Sequence, residues 1–167
     1  MRRVDPIRPE RVASATLAVP QEAGAGILLL KRSEHVRTHP GKWANTAGHI
    51  ESGETPLQGI RRETAEEIHI PLAPGRLEKV GVRNIKDGDT TLRLHLFFGV
   101  LHRAELARIE LSTEHTAWGI FQWANVAQNS GIPDGVEMTP VTKKVWSLWG
   151  EKVDRLITER LGPSETG

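Results

Sequence analysis

The stretch from Thr55 to Ile70 constrains this chain more than any other. Thr55 is a good helix N-cap, and Pro56 suits the first helical position, where its missing N–H is no loss. Pro71 blocks continuation and pushes the residues before it out of helical geometry. The spacing therefore predicts a helix from Pro56 to about Ile68. Leu57, Ile60, Thr64 and Ile68 fall on one stripe of that helix, which must be covered by another layer. Glu63, Glu66 and Glu67 recur at i, i+3 and i+4 and read as a second, acidic face away from the stripe.

The covering layer is legible as strands. Val12 to Val19 is apolar and ends at Pro20, and Ile27-Leu28-Leu29-Leu30 has the continuous hydrophobicity of a buried central strand. Residues 33–49 show little periodicity and read as a long loop. Leu77–Ile85 and Thr91–Leu101 read as strands joined at Lys86-Asp87-Gly88-Asp89, a hairpin signal. Within the second of these, Leu92, Leu94, Leu96 and Phe98 alternate with Arg93, His95 and Phe97. A further strand is expected near Thr116–Phe121, and an amphipathic helix over Val141–Leu161. Strands mixed with two helices, without regular βαβ alternation, predict an α+β or layered α/β/α domain. Residues 1–11, rich in Arg and Pro, read as a loose N-terminal arm, 12–161 as one domain and 162–167 as a C-terminal tail.

Composition removes several function classes. Lys and Arg total 22 against 21 Asp and Glu, a net charge of +1, which argues against a protein that coats a nucleic-acid polymer. With no cysteine there is no disulfide scaffold, no thiolate metal site and no thiol nucleophile. No apolar run approaches the roughly 20 residues of a membrane helix. Met1-Arg2-Arg3 is followed by Asp5, Pro6, Arg8, Pro9 and Glu10 rather than by an apolar signal segment. A cytoplasmic protein without a membrane partner is the expectation.

Three carboxylates packed on one helix face raise one another's pKa unless a cation is present. Mg²⁺ or Mn²⁺ prefers such oxygen ligands and links them to substrate phosphates. An isolated acidic helix face is ordinarily just solvated, but the context here is specific. Gly48 stands six residues before Glu54, and Arg62-Glu63 and Glu66-Glu67 follow at fixed spacing. This pattern resembles the Nudix hydrolase superfamily, whose box is G-x5-E-x7-R-E-U-x-E-E-x-G-U with U a bulky apolar residue. Every charged position is present; Thr64 stands at the first U and His69 at the last glycine.

The resemblance implies an α/β/α sandwich around a mixed sheet. It also implies metal-dependent hydrolysis of a pyrophosphate bond in a nucleoside diphosphate linked to another group. It makes Gly48 (through its carbonyl), Glu63, Glu66 and Glu67 metal ligands, and Glu54 and Arg62 further members of the catalytic set. Glu114 is the first candidate for a downstream acidic ligand and Glu110 the second. Arg32, Arg37, Trp43, His49 and Trp118 are candidate substrate contacts. The chain is expected as a monomer or homodimer that takes a small-molecule nucleotide, most simply a nucleoside triphosphate.

Other readings within the same fold are a nucleotide-binding or regulatory domain without catalysis and a coenzyme A diphosphatase. The latter's extended signature is followed through Leu28–Ser33, Arg37 and Gly41, but Asn45-Thr46-Ala47-Gly48 stands where it has Phe-Pro-Gly-Gly. An isoprenoid diphosphate isomerase, suggested by Pro40-Gly41-Lys42-Trp43, relies on a cysteine this chain lacks.

Overall fold

A computed structural model describes residues 8–162. Seven strands form one mixed sheet: β1 (Glu10–Pro20), β2 (Ala25–Arg32), β3 (Trp43–Ala44), β4 (Thr46–His49), β5 (Leu77–Asp87), β6 (Thr90–Val100) and β7 (His115–Gln122). The main order is β3-β2-β1-β6-β5, with β4 added to β1 and β7 to β2. β1 runs parallel to β6, and every other pairing is antiparallel. β1 branches along its length. Its first half pairs with β4 at Val12–Ala15, and its end pairs with β2 at Ala18–Pro20.

Among the described residues four α-helices, α1 (Pro56–Ile68), α2 (Arg103–Leu106), α3 (Trp123–Ala127) and α4 (Pro140–Leu161), and one 3-10 turn at Pro74–Arg76 join the strands. Two hydrophobic clusters, one on each face of the sheet, make this an α/β/α sandwich. Ala13, Ala15, Leu17, Leu28, Leu30 and Phe97 pack with Ile60 and Ile68 of α1. Val12, Ile27, Leu29, Leu94, Leu96 and Phe98 pack with Val145, Trp146 and Val153 of α4. Trp123 and Trp146 meet edge-on at 6.1 Å, and the Trp123 indole N–H donates to Asp154. The strand alternation of β6 decides which side chains go to which layer.

α1 has the bounds the prolines dictate. The Thr55 hydroxyl accepts from the Gln58 N–H and the Gln58 side chain accepts from the Thr55 N–H, a reciprocal capping box. His69 ends the helix in the left-handed region at φ 58°, and its ring nitrogen bonds the Glu110 carbonyl at 2.7 Å. That bond offsets part of the cost a side chain meets where the motif has glycine.

Three sequence readings need correction. Residues 33–49 are not all loop, since β3 and β4 lie within them. Strands of two and four residues are too short to show periodicity, and what holds them is pairing with β1 and β2. β1 starts at Glu10, inside the stretch read as an arm; residues 1–7 and 163–167 lie outside the described residues. The short helices α2 and α3 were not anticipated. Among the described residues no helix is long and apolar enough to cross a membrane.

Candidate active site

The acidic helix is organised by a single guanidinium. Arg62 donates to both Glu54 oxygens at 2.8 and 2.9 Å, to the His49 carbonyl at 2.9 Å, to Glu63 at 2.9 Å and to Glu66 at 3.3 Å. Glu54 also accepts the Glu51 N–H at 2.8 Å. The Arg62 hydrogen bonds, seconded by that N–H, hold the Glu54 carboxyl down at about 2. Glu54 is thereby committed as a carboxylate to anchoring Arg62, and Arg62 fixes the loop at His49 relative to the helix.

The three helix carboxylates do not share one environment. Glu66 is exposed, Glu63 is half-buried and Glu67 is only 5% exposed. The reading of all three as a face away from the core stripe is therefore corrected. Residue 67 stands seven positions after Ile60, two turns on, and so lies almost above it. One oxygen of Glu67, Oε2, is buried without a hydrogen-bond partner. Burial pushes its carboxyl well up, the Glu63 charge adds to this, and a backbone hydrogen bond from Ala47 opposes it. Glu63 is also raised, first by burial, with Arg62 working against the rise.

Gly48 sits in β4 directly beside this pair. A Cβ at that position would run into the Glu63 carboxyl, so only glycine lets the strand and the helix approach this closely. Gly48→Ala must push Glu63 aside. We expect turnover to fall at least about tenfold while the thermal midpoint drops only modestly, read by steady-state kinetics beside thermal melts.

Glu114 is exposed in the turn before β7, and its charge reaches both Glu63 and Glu67. Glu110 serves through its backbone: its N–H caps the Ile68 carbonyl, and its own carbonyl receives His69. Of the two downstream acids, Glu114 is the one whose charge is felt at the helix carboxylates.

The basic and aromatic candidates divide between the two faces of the sheet. Arg32 and His115 are register partners, and the Arg32 charge acts on Glu67 although its guanidinium is held by the Thr38 carbonyl and hydroxyl. Trp118, 37% exposed, pairs with Leu30 and so shares the α1 face. Trp43 pairs with Lys31, packs edge-on against Phe121 at 5.2 Å and belongs to the α4 side. The two tryptophans thus lie on opposite faces and do not sandwich one base. The His49 ring points away from Gly48 to Glu10 at 2.8 Å. Arg37 is exposed on the loop before β3.

His115 escaped the sequence reading, since a lone histidine in a short strand gives no signal. It is buried, 3.4 Å from the Ser112 hydroxyl, and burial, with the Arg32 charge, lowers its pKa to about 4. The folded chain then refuses a proton that the unfolded chain accepts. Stability should fall as pH drops from about 6.5 towards 4, and His115→Gln should flatten that segment of a urea-midpoint profile.

The NUDIX domain family pattern matches residues 10–144. The chain belongs to the NUDIX family. An uncharacterised Nudix hydrolase, NudL, of Enterobacter sp. (strain 638) is 32% identical over 92 residues, 54% of this chain and 47% of that protein. The match thus spans about half the length of this curated relative. Among solved structures, a MutT protein from Methanosarcina mazei Go1 superposes with a TM-score of 0.68 at 25% identity, covering 91% of this chain and 98% of its own. An Ap4A hydrolase from C. elegans, solved as a binary complex, gives 0.66 at 18% identity over 88% of this chain and 97% of its own. Nudix enzymes act on nucleoside diphosphates linked to other groups, and this chain carries their box on their fold.

Proposed function

We propose that this Nudix chain is a divalent-metal-dependent pyrophosphohydrolase for a small nucleotide, most simply a nucleoside triphosphate or a relative of one. The observation that carries this reading is the buried, unpartnered oxygen of Glu67 beside Glu63 and Gly48. A carboxylate in that position is costly unless a cation joins it.

The donor set fits Mg²⁺ or Mn²⁺, being all hard oxygens. Among the described residues no three acidic or histidine side chains already converge as a metal cluster, because Arg62 draws Glu63 and Glu66 to itself. Gly48, Glu63, Glu66 and Glu67 would hold the ion, with Glu114 as a further ligand. When bound, it would neutralise phosphate oxygens and make water more acidic. Glu54, tied up by Arg62, is a positioning group rather than a proton acceptor. Arg32, whose charge acts on Glu67, would receive a phosphate, and Trp118, exposed on the α1 face, would take a base.

Chromatographic detection of the cleaved nucleotide products, with Mg²⁺ and with Mn²⁺, tests the reading. The compounds are nucleoside triphosphates, ADP-ribose, dinucleoside polyphosphates and coenzyme A. Metal-dependent turnover of at least one, abolished by chelation, is expected. Nucleotide binding without turnover of any would instead make the chain a binding domain.

A further inference from the structure

A second group of charges lies on the α1 face of the sheet, at the other strands. Arg11 of β1 and Arg93 of β6 are direct register partners, so two guanidinium-bearing side chains leave the same face side by side. Lys79 pairs with Phe97 and Ala13 with His95. Ala13 and Phe97 belong to the α1-side cluster, which places Lys79 and His95 on that face too. Like charges directly opposite across strands destabilise a sheet. Among the described residues no carboxylate forms an ion pair with Arg93 or Lys79: Arg93 donates to the Asn84 amide oxygen at 3.3 Å, while Arg11 donates to the Glu54 carbonyl at 3.4 Å and its charge is shared with the Glu54 carboxylate.

In the middle of this cationic group stands His95, 9% exposed, with Nδ1 buried and without a partner. Burial, then Lys79, Arg93 and Arg11, lower its pKa, so the ring is neutral at neutral pH and can offer an N–H donor. An orphaned buried ring nitrogen is costly, and the clustered cations, Arg93 and Lys79 above all, add repulsion. An anion on this face would relieve both.

We propose that Arg11, Lys79, Arg93 and His95 form a phosphate-binding subsite on the α1 face of β1, β5 and β6. Gly48, Ala13 and His95 are register partners in successive strands, so the subsite lies two strand spacings, about 10 Å, from the Gly48 carbonyl. It adjoins the start of the acidic helix through Arg11 and Glu54, and is within reach of an extended substrate. This deepens the hydrolase reading and rests on it only for what carries the phosphate. The carrier is either the substrate's own distal phosphate or free inorganic phosphate.

Metal-free protein titrated with inorganic phosphate tests the subsite without any turnover. The His95 ring resonances should shift saturably in NMR, and the His95 pKa should rise, since a neighbouring anion favours the imidazolium. Arg93→Ala combined with Lys79→Ala should weaken phosphate binding at least about tenfold; both side chains are exposed, so the fold should survive. Displacement of phosphate by a nucleoside triphosphate assigns the subsite to a substrate tail, and failure to displace assigns it to free phosphate. A His95 ring unmoved by phosphate, moved equally by chloride at matched ionic strength, or moved equally in the double variant would overturn the proposal.

Discussion

Glu67→Gln should lower kcat by at least about a hundredfold, a barrier increase near 2.7 kcal/mol, and should at the same time make the metal-free protein more stable. The two effects have opposite signs for one reason. The wild-type carboxylate is buried with an unpartnered oxygen, and burial raises its pKa. Between its unfolded value of about 4.5 and the raised folded value, the folded chain binds the extra proton. Stability of the wild type thus falls as pH rises through that window. Glutamine keeps the shape and removes the charge. Without metal, the variant's urea midpoint should exceed the wild type's at pH 8 and approach it near pH 4.5. Added Mn²⁺ should raise the wild-type midpoint more than the variant's, because only a ligand that binds the folded state stabilises it. Near-wild-type turnover would remove Glu67 from the site. A lower midpoint without metal would remove the cost assigned to its buried charge.

The second large effect is expected at Arg62. Arg62→Ala deletes the partner of Glu54, Glu63 and Glu66 together and leaves the His49 carbonyl unbonded. Because three of those acceptors are carboxylates, the loss combines missing charge-assisted hydrogen bonds with new repulsion among the acids. The Arg62 side chain is 23% exposed, so water softens the loss, and about 2–3 kcal/mol of stability is the expected size. Turnover should fall between about ten- and a hundredfold as Glu63 and Glu66 lose their common anchor. Arg62→Lys should recover little, since an ammonium cannot grip both Glu54 oxygens and the His49 carbonyl in one plane. Thermal melts and kinetics on the two variants check this. Full rescue by lysine would reduce Arg62 to a point charge.

Much of the site was legible because its spacing is local. A helix start, a helix stop and residues at i, i+3 and i+4 are fixed by 3.6-residue geometry, whatever the rest of the chain does. α1 accordingly begins at Pro56 and ends at Ile68. The same periodicity already put residue 67 above Ile60, so the burial of Glu67 was a misreading of the wheel rather than a missing signal. The hairpin at Lys86–Asp89 was equally local; β5 ends at Asp87 and β6 begins at Thr90.

What the sequence alone determined, then, is the longer strands, the C-terminal helix and the acidic helix with its bracing arginine, because neighbours along the chain specify them. Tertiary structure decided everything that depends on register between distant segments. Pairing of β4 with β1 placed Gly48 against Glu63. Strand register put Trp43 and Trp118 on opposite faces, although both read as candidate substrate contacts. The parallel pairing of β1 with β6 set Arg11 beside Arg93 and surrounded His95 with cations. A one-residue change in any of these pairings would send the side chains to the other face. Nothing in the local sequence sets those pairings; burial of the two apolar layers does.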